Sequence, residues 1–93
     1  MHVILMYDLV DDYLERRAAL RAEHLELGRQ SLARNELVLA GALAEPIDQA
    51  FLVFHGDDTS LAEAFAKSDP YVKNGLVKSW RVRKWTTVLG DKP

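Results

Sequence analysis

The sequence predicts an α+β fold, an antiparallel sheet with two helices on one face, in the order β-α-β-β-α-β. Three observations carry this. Four short runs rich in β-branched, aromatic and leucine residues alternate with turn-forming residues. Two segments have helical composition, and apolar residues recur in them at helical spacing. The two middle strand-like runs are joined only by Glu45-Pro46-Ile47-Asp48, so the chain must turn straight back on itself.

Residues 2 to 8, HVILMYD, end at an acid and read as a buried first strand. Asp11 and Asp12 then supply the negative charge that a helix N-terminus favours. One long helix is expected from there to about Asn35, built from Leu, Ala, Glu and Arg, with Gly28 as its weak point. A second strand runs from about Leu37 to Leu43, and a third, residues 50 to 56, returns alongside it. Ser60 and Glu63 have the spacing of a capping box for a second helix, with Leu61, Ala64 and Phe65 facing the core. That helix should stop near Ser68, because a residue before proline is pushed out of the helical region. Asn74-Gly75 is a turn, and SWRVRKWTTVL is a final strand of about ten residues. This order is the split βαβ, ferredoxin-like arrangement.

Chain-wide composition narrows the function. With 93 residues the chain is read as a single domain, 1–93, with one modest core. Apolar residues make up 48% and charged residues 28%, and no run approaches the ~20 apolar residues of a membrane span. The expectation is a protein without membrane contact. The absence of cysteine excludes disulfides, thiolate metal sites and a cysteine nucleophile, and together with a start that does not resemble an export leader it suits a cytoplasmic protein. Net charge is −2, against any general affinity for nucleic acid, although seven basic and two acidic residues follow from Lys67 onward. One face of the expected sheet carries no helix, so a second copy packing sheet to sheet would cover it. No phosphate-cradling glycine loop and no ligand-spaced His, Asp and Glu cluster is present, so neither a cofactor nor a metal is expected.

The first helix carries the most chemical information. At ~100° per residue, Leu14, Ala18, Leu25 and Leu32 form one apolar group and Leu20, Leu27 and Ser31 another, with a charged arc opposite. Arg17, Arg21 and His24 lie between the two apolar groups, stacked on adjoining turns. Half-buried Arg and His side chains need partners. Asp69, in the stretch KSDPYVKNGL, is a candidate partner for His24. It is equally placed to cap the helical turn begun by Pro70. The two roles are compatible, since a carboxylate has several acceptor positions. Arg17 and Arg21 either hold an anionic group or pair with a local acid such as Asp8 or Asp69. Tyr71 either donates a hydrogen bond into a pocket or only packs. His2 and His55 have no metal-like spacing to other ligands.

Arg17-x-x-x-Arg21-x-x-His24, then Leu39-Ala40-Gly41, then Ser68-Asp69-Pro70-Tyr71 followed by Gly75, resembles the YCII-related family along essentially the whole chain. The resemblance implies a dimeric ferredoxin-like protein of the α+β barrel group. It places His24 and Asp69 as a catalytic pair, with Arg17, Arg21, Ala40, Gly41, Pro70 and Tyr71 at the surrounding substrate positions. Ala42 stands where the family often has proline, which bears on the shape of the pocket. The implied activity is acid/base chemistry of lyase, isomerase or hydrolase type on a small anionic or hydroxylated organic molecule; the alternative is a module that binds a small metabolite without turning it over. A third reading, RNA binding through Trp80, Arg81, Arg83, Lys84 and Trp85, lacks the aromatic pattern in the third strand that such sheets use. Burial of the tryptophans between two copies accounts for them more simply.

Overall fold

The computed structural model describes all 93 residues, and its centre is β1 (His2–Leu9). Alternate residues of β1 point to opposite faces, and Val3, Leu5, Tyr7 and Leu9 are all buried. The remaining elements are α1 (Tyr13–Arg17), α2 (Arg21–Ala33), β2 (Leu37–Ala42), β3 (Gln49–His55), α3 (Ser60–Ser68), α4 (Pro70–Lys73) and β4 (Val77–Trp85). The sheet order is β2-β3-β1-β4, and every pairing is antiparallel. This is the ferredoxin-like α+β fold expected from the sequence.

Register decides which side chains share a face. Leu5 lies opposite Leu52 on β3 and Val82 on β4, and Tyr7 lies opposite Ala50 and Trp80. These residues pack with Tyr13, Ala62, Phe65, Ala66 and Tyr71, so the helices cover this face and form the core with it. On the other face Ile4 and Met6 lie opposite Val53 and Phe51, with Arg83 and Arg81 beyond them on β4. Trp80 and Trp85 therefore point to opposite sides of the sheet, which separates the aromatic groups that an RNA-binding surface would have needed together.

Three expectations need correction. The long first helix is two helices: α1 ends at Arg17, residues 18–20 form a turn, and Leu20 N–H bonds to Arg17 O at 2.9 Å. Nothing in Ala18-Ala19-Leu20 opposes helix, so tertiary packing overrides local propensity here. Buried Tyr13 on α1 and half-buried His24 on α2 both reach Tyr71, and the break re-aims one segment relative to the other. The Leu20, Leu27 and Ser31 side packs inward, whereas Leu14 and Leu32 of the other apolar group are 48% and 49% exposed. The N-cap of α3 is Thr59, whose side chain makes no capping bond; Asp58 just before it accepts from Ser60 N–H at 2.9 Å, and no Ser60–Glu63 box forms. β4 ends at Trp85, so the Thr-Thr-Val-Leu continuation lies outside the sheet.

Asp8 ties three strands at one end of the open face. It accepts from Gln49 Nε2 on β3 and Ser79 Oγ on β4, both at 2.9 Å, and Arg81 stands at 3.8 Å. The hydrogen bond from Gln49, then that from Ser79, then the positive charges of Arg81 and Lys78 hold its carboxyl below the usual range. A depressed folded-state value means the stabilisation is present above the ordinary carboxylate pKa of about 4 and is lost as pH falls below it. Urea midpoints measured across the acid range should therefore fall less steeply in Asp8→Asn than in wild type.

Candidate active site

Pro70 sets the local geometry. It occupies the first helical position of α4, and Asp69 before it is extended, with φ −71° and ψ 122°. In that conformation Asp69 caps α4, its Oδ1 accepting from Tyr71 N–H at 3.0 Å. The same Oδ1 lies 2.8 Å from His24 Nδ1, and Oδ2 accepts from the Tyr7 hydroxyl at 2.8 Å. Cap and histidine partner are thus one and the same side chain, with no exposed surface at all.

The donor pattern orients the imidazole. Tyr7 O–H and Tyr71 N–H both give their hydrogens to Asp69, as an acceptor-only carboxylate requires, and His24 Nδ1–H is the third donor. With Nδ1 carrying the hydrogen, the lone pair of a neutral ring lies on Nε2, which has no hydrogen bond within the chain. The ring stacks on Tyr71 with centroids 3.9 Å apart and planes 9° from parallel, so its tilt is fixed as well as its tautomer.

Beside this pair is a cavity of about 190 Å³ bounded by α1, α2, α4 and the inner face of the sheet. Tyr7, Tyr13, Tyr71 and Leu52 supply much of its apolar wall, and the small Ala40 and Ala42 on β2, opposite Leu52 and Ala50, leave room where larger side chains would close it, while Gly41 between them borders it only through its backbone. Arg17 and Arg21 line it too. Neither forms an ion pair: Asp8 is engaged by Arg81, and Asp69 by His24. Arg17 lies over the Tyr13 ring, 5.5 Å from its centroid. Two arginines without a carboxylate partner and a histidine therefore border one small space.

Of the residues singled out from the sequence, His24, Arg17, Arg21, Ala40, Gly41 and Tyr71 all border this cavity. Pro70 does not. It is buried, and its part is to shape the backbone that holds Asp69. The Tyr71 hydroxyl is buried with no hydrogen-bond partner, and burial, followed by the neighbouring Tyr13, pushes its ionisation upward against the opposing pull of Arg21 and Arg17. No three His, Asp or Glu side chains come together as metal ligands.

Sequence reading missed Tyr7, yet a signal existed. It has the same parity as Val3 and Leu5 on a buried strand, and a buried tyrosine hydroxyl needs a partner. Burial raises its ionisation far above the ordinary tyrosine range, and the negative charge of Asp69 adds to this. A raised folded-state value means the stabilisation is fully present below the ordinary tyrosine pKa of about 10 and is lost as pH rises above it. Tyr7→Phe leaves Asp69 Oδ2 without its donor and should cost about 1–3 kcal/mol near neutral pH. The alkaline loss of stability, followed by urea denaturation, should also be shallower in that variant.

Residues 1–86 match the model of the YCII-related domain. Among solved structures the chain is similar to the 5-chloro-2-hydroxyhydroquinone dehydrochlorinase of Burkholderia phenoliruptrix in complex with 2,5-dihydroxybenzoquinone, with TM-score 0.75 and 19% identity over 92% of this chain and 94% of that one. It is also similar to a protein of Pseudomonas aeruginosa, at TM-score 0.60 and 12% identity over 95% and 93% of the two chains. A protein of Agrobacterium tumefaciens matches at TM-score 0.59 and 14% identity over 94% and 92%. At these identities the structural likeness speaks for the fold alone. No curated protein matches. The family model spans nearly the whole chain, and the protein belongs to the YCII-related family.

Proposed function

We propose that the chain, as one domain over residues 1–93, is a small acid/base enzyme in which His24 moves a proton on an anionic or hydroxylated organic molecule. One observation carries this reading: His24 Nδ1 is held at 2.8 Å by a fully buried carboxylate while the imidazole borders a cavity with Arg17 and Arg21, leaving Nε2 as its one nitrogen without a partner in the chain. In that role Nε2 takes a proton from a carbon or oxygen of the substrate. Asp69 then stabilises the imidazolium that forms, without itself accepting the proton. Arg17 and Arg21 neutralise the negative charge that builds on the substrate oxygens, a charge worth more stabilisation in a small, partly dry cavity than in water. Returning the proton at another atom gives isomerisation; loss of a leaving group from the neighbouring carbon gives elimination. The similar structure from Burkholderia is named as a dehydrochlorinase, an eliminating enzyme, which supports the same class of chemistry here.

Proton transfer can be read without knowing the physiological substrate. In D₂O, a panel of small hydroxylated aromatics and carbonyl acids should include a compound whose C–H exchanges for deuterium only with the protein present. His24→Gln should slow that exchange on the order of 10²–10⁴-fold while leaving the fold intact by circular dichroism. A compound that binds saturably and is recovered with neither deuterium nor product would instead identify a module that binds without turnover.

The second part of the proposal is a homodimer formed through the open face of the sheet. Ile4, Met6 and Phe51 are only half-buried there, and Trp85 and Leu39 are 48% and 62% exposed. A contiguous apolar face of this kind marks an interaction surface. Sedimentation of the wild-type chain should give a dimer, and Phe51→Asp should shift it to monomer without unfolding it.

A further inference from the structure

We infer that the ligand of this site has a non-polar tail, and that the tail lies in a second cavity running from His24 along the seam between α2 and β2. This rests on the proposed reading of the His24 site as the place where the anionic or hydroxylated head is held.

Position with size, chemistry, and one glycine point to it, in that order. The second cavity, of about 330 Å³, shares His24, Leu25, Ala40 and Leu52 with the first, so the two adjoin at the imidazole. At about 190 Å³ the first lies below the ~300 Å³ at which pockets for organic ligands begin, and the two together do not. Their chemistry also differs. Arg17 and Arg21 stand at the first, unpaired, whereas eight of the eleven residues lining the second are hydrophobic and its one arginine, Arg29, is already 3.7 Å from Glu26.

Gly28 supplies the third. It sits mid-helix on the wall of the second cavity, where glycine costs roughly 0.5–1 kcal/mol relative to alanine. A Cβ at this position would meet nothing within 4 Å, and the backbone φ is not positive, so neither internal packing nor backbone conformation calls for glycine. A side chain here would enter space that glycine leaves open. The same cavity explains why Leu32, on the wall beside it, remains 49% exposed: its side of α2 has no partner within the chain. The ligand class is therefore an amphipathic acid or phenolate, charged at one end and aliphatic or aromatic at the other.

The test uses straight-chain carboxylates from butanoate to decanoate as probes, titrated calorimetrically into the full chain. Wild type should bind more tightly by about two- to fourfold per added methylene, as expected when methylenes leave water. Gly28→Leu, which fills the cavity with a good helix former, should abolish that increment and leave butanoate affinity unchanged. Gly28→Ala should lie between them. Affinity independent of chain length in wild type, complete absence of binding included, would overturn the inference, as would an undiminished increment in Gly28→Leu. Arg21→Ala separates the two readings: if it leaves butanoate affinity unaltered, the head is not held where proposed, whereas a flat chain-length series with Arg21-dependent butanoate binding condemns only the tail. A change of sedimentation from dimer to monomer in Gly28→Leu would assign the cavity to a second copy of the chain, and the inference would fall.

Discussion

The Asp69 carboxylate is the constraint on which the rest of the structure depends. A carboxylate with no exposed surface is costly unless its oxygens are satisfied, and three donors from three elements satisfy it: Tyr7 on β1, His24 on α2 and Tyr71 on α4. Those donors hold β1, α2 and α4 at fixed separations. Removing one donor leaves the others holding an under-satisfied buried charge, so the group behaves as a unit. Structure and proposed chemistry thus depend on the same atoms. The bonds that make the carboxylate tolerable in the core are the bonds that aim the imidazole.

This arrangement places the candidate site at the boundary between core and solvent. His24 retains 19% side-chain exposure while its partner has none, so one ring nitrogen is held by the buried carboxylate and the ring itself lies at the edge of the cavity. The cavity exists because β2 carries the small Ala40 and Ala42 on its inner face, where a sheet edge could have carried larger residues. The departure noted at Ala42, where the family often has proline, falls on this wall. It affects the shape of the space and not the His24–Asp69 pair.

Much of the fold was legible because strand parity and turn residues are local properties. β1, β2 and β3 begin and end within a residue or so of where side-chain character places them, and α3 stops at Ser68 because Pro70 requires an extended residue before it. The break at residues 18–20 was not legible, since Ala-Ala-Leu favours helix and only long-range packing against Tyr71 separates α1 from α2. The helical wheel also placed Leu14 and Leu32 in an apolar group, although both are about half exposed, since a wheel shows which residues share a face and not what covers it. At the site, the spacing of Arg17, Arg21 and His24 and the Asp-Pro-Tyr stretch pointed to residues that the fold does bring together. Which acids would be free for the arginines was invisible, because it depends on Arg81 reaching Asp8 across the sheet. Tyr7 stayed hidden for a related reason: its partner lies sixty-two positions away in the chain.

The most direct measurement is the pair of ¹⁵N chemical shifts of the His24 imidazole near neutral pH, read by long-range ¹H–¹⁵N correlation, with His2 and His55 as internal references. The expected pattern is a hydrogen on Nδ1 and a bare Nε2, lost or reduced in Asp69→Asn. A hydrogen resident on Nε2, or a pattern in wild type that Asp69→Asn leaves unchanged, would contradict the account, because the nitrogen facing the cavity would then not be the base that Asp69 orients.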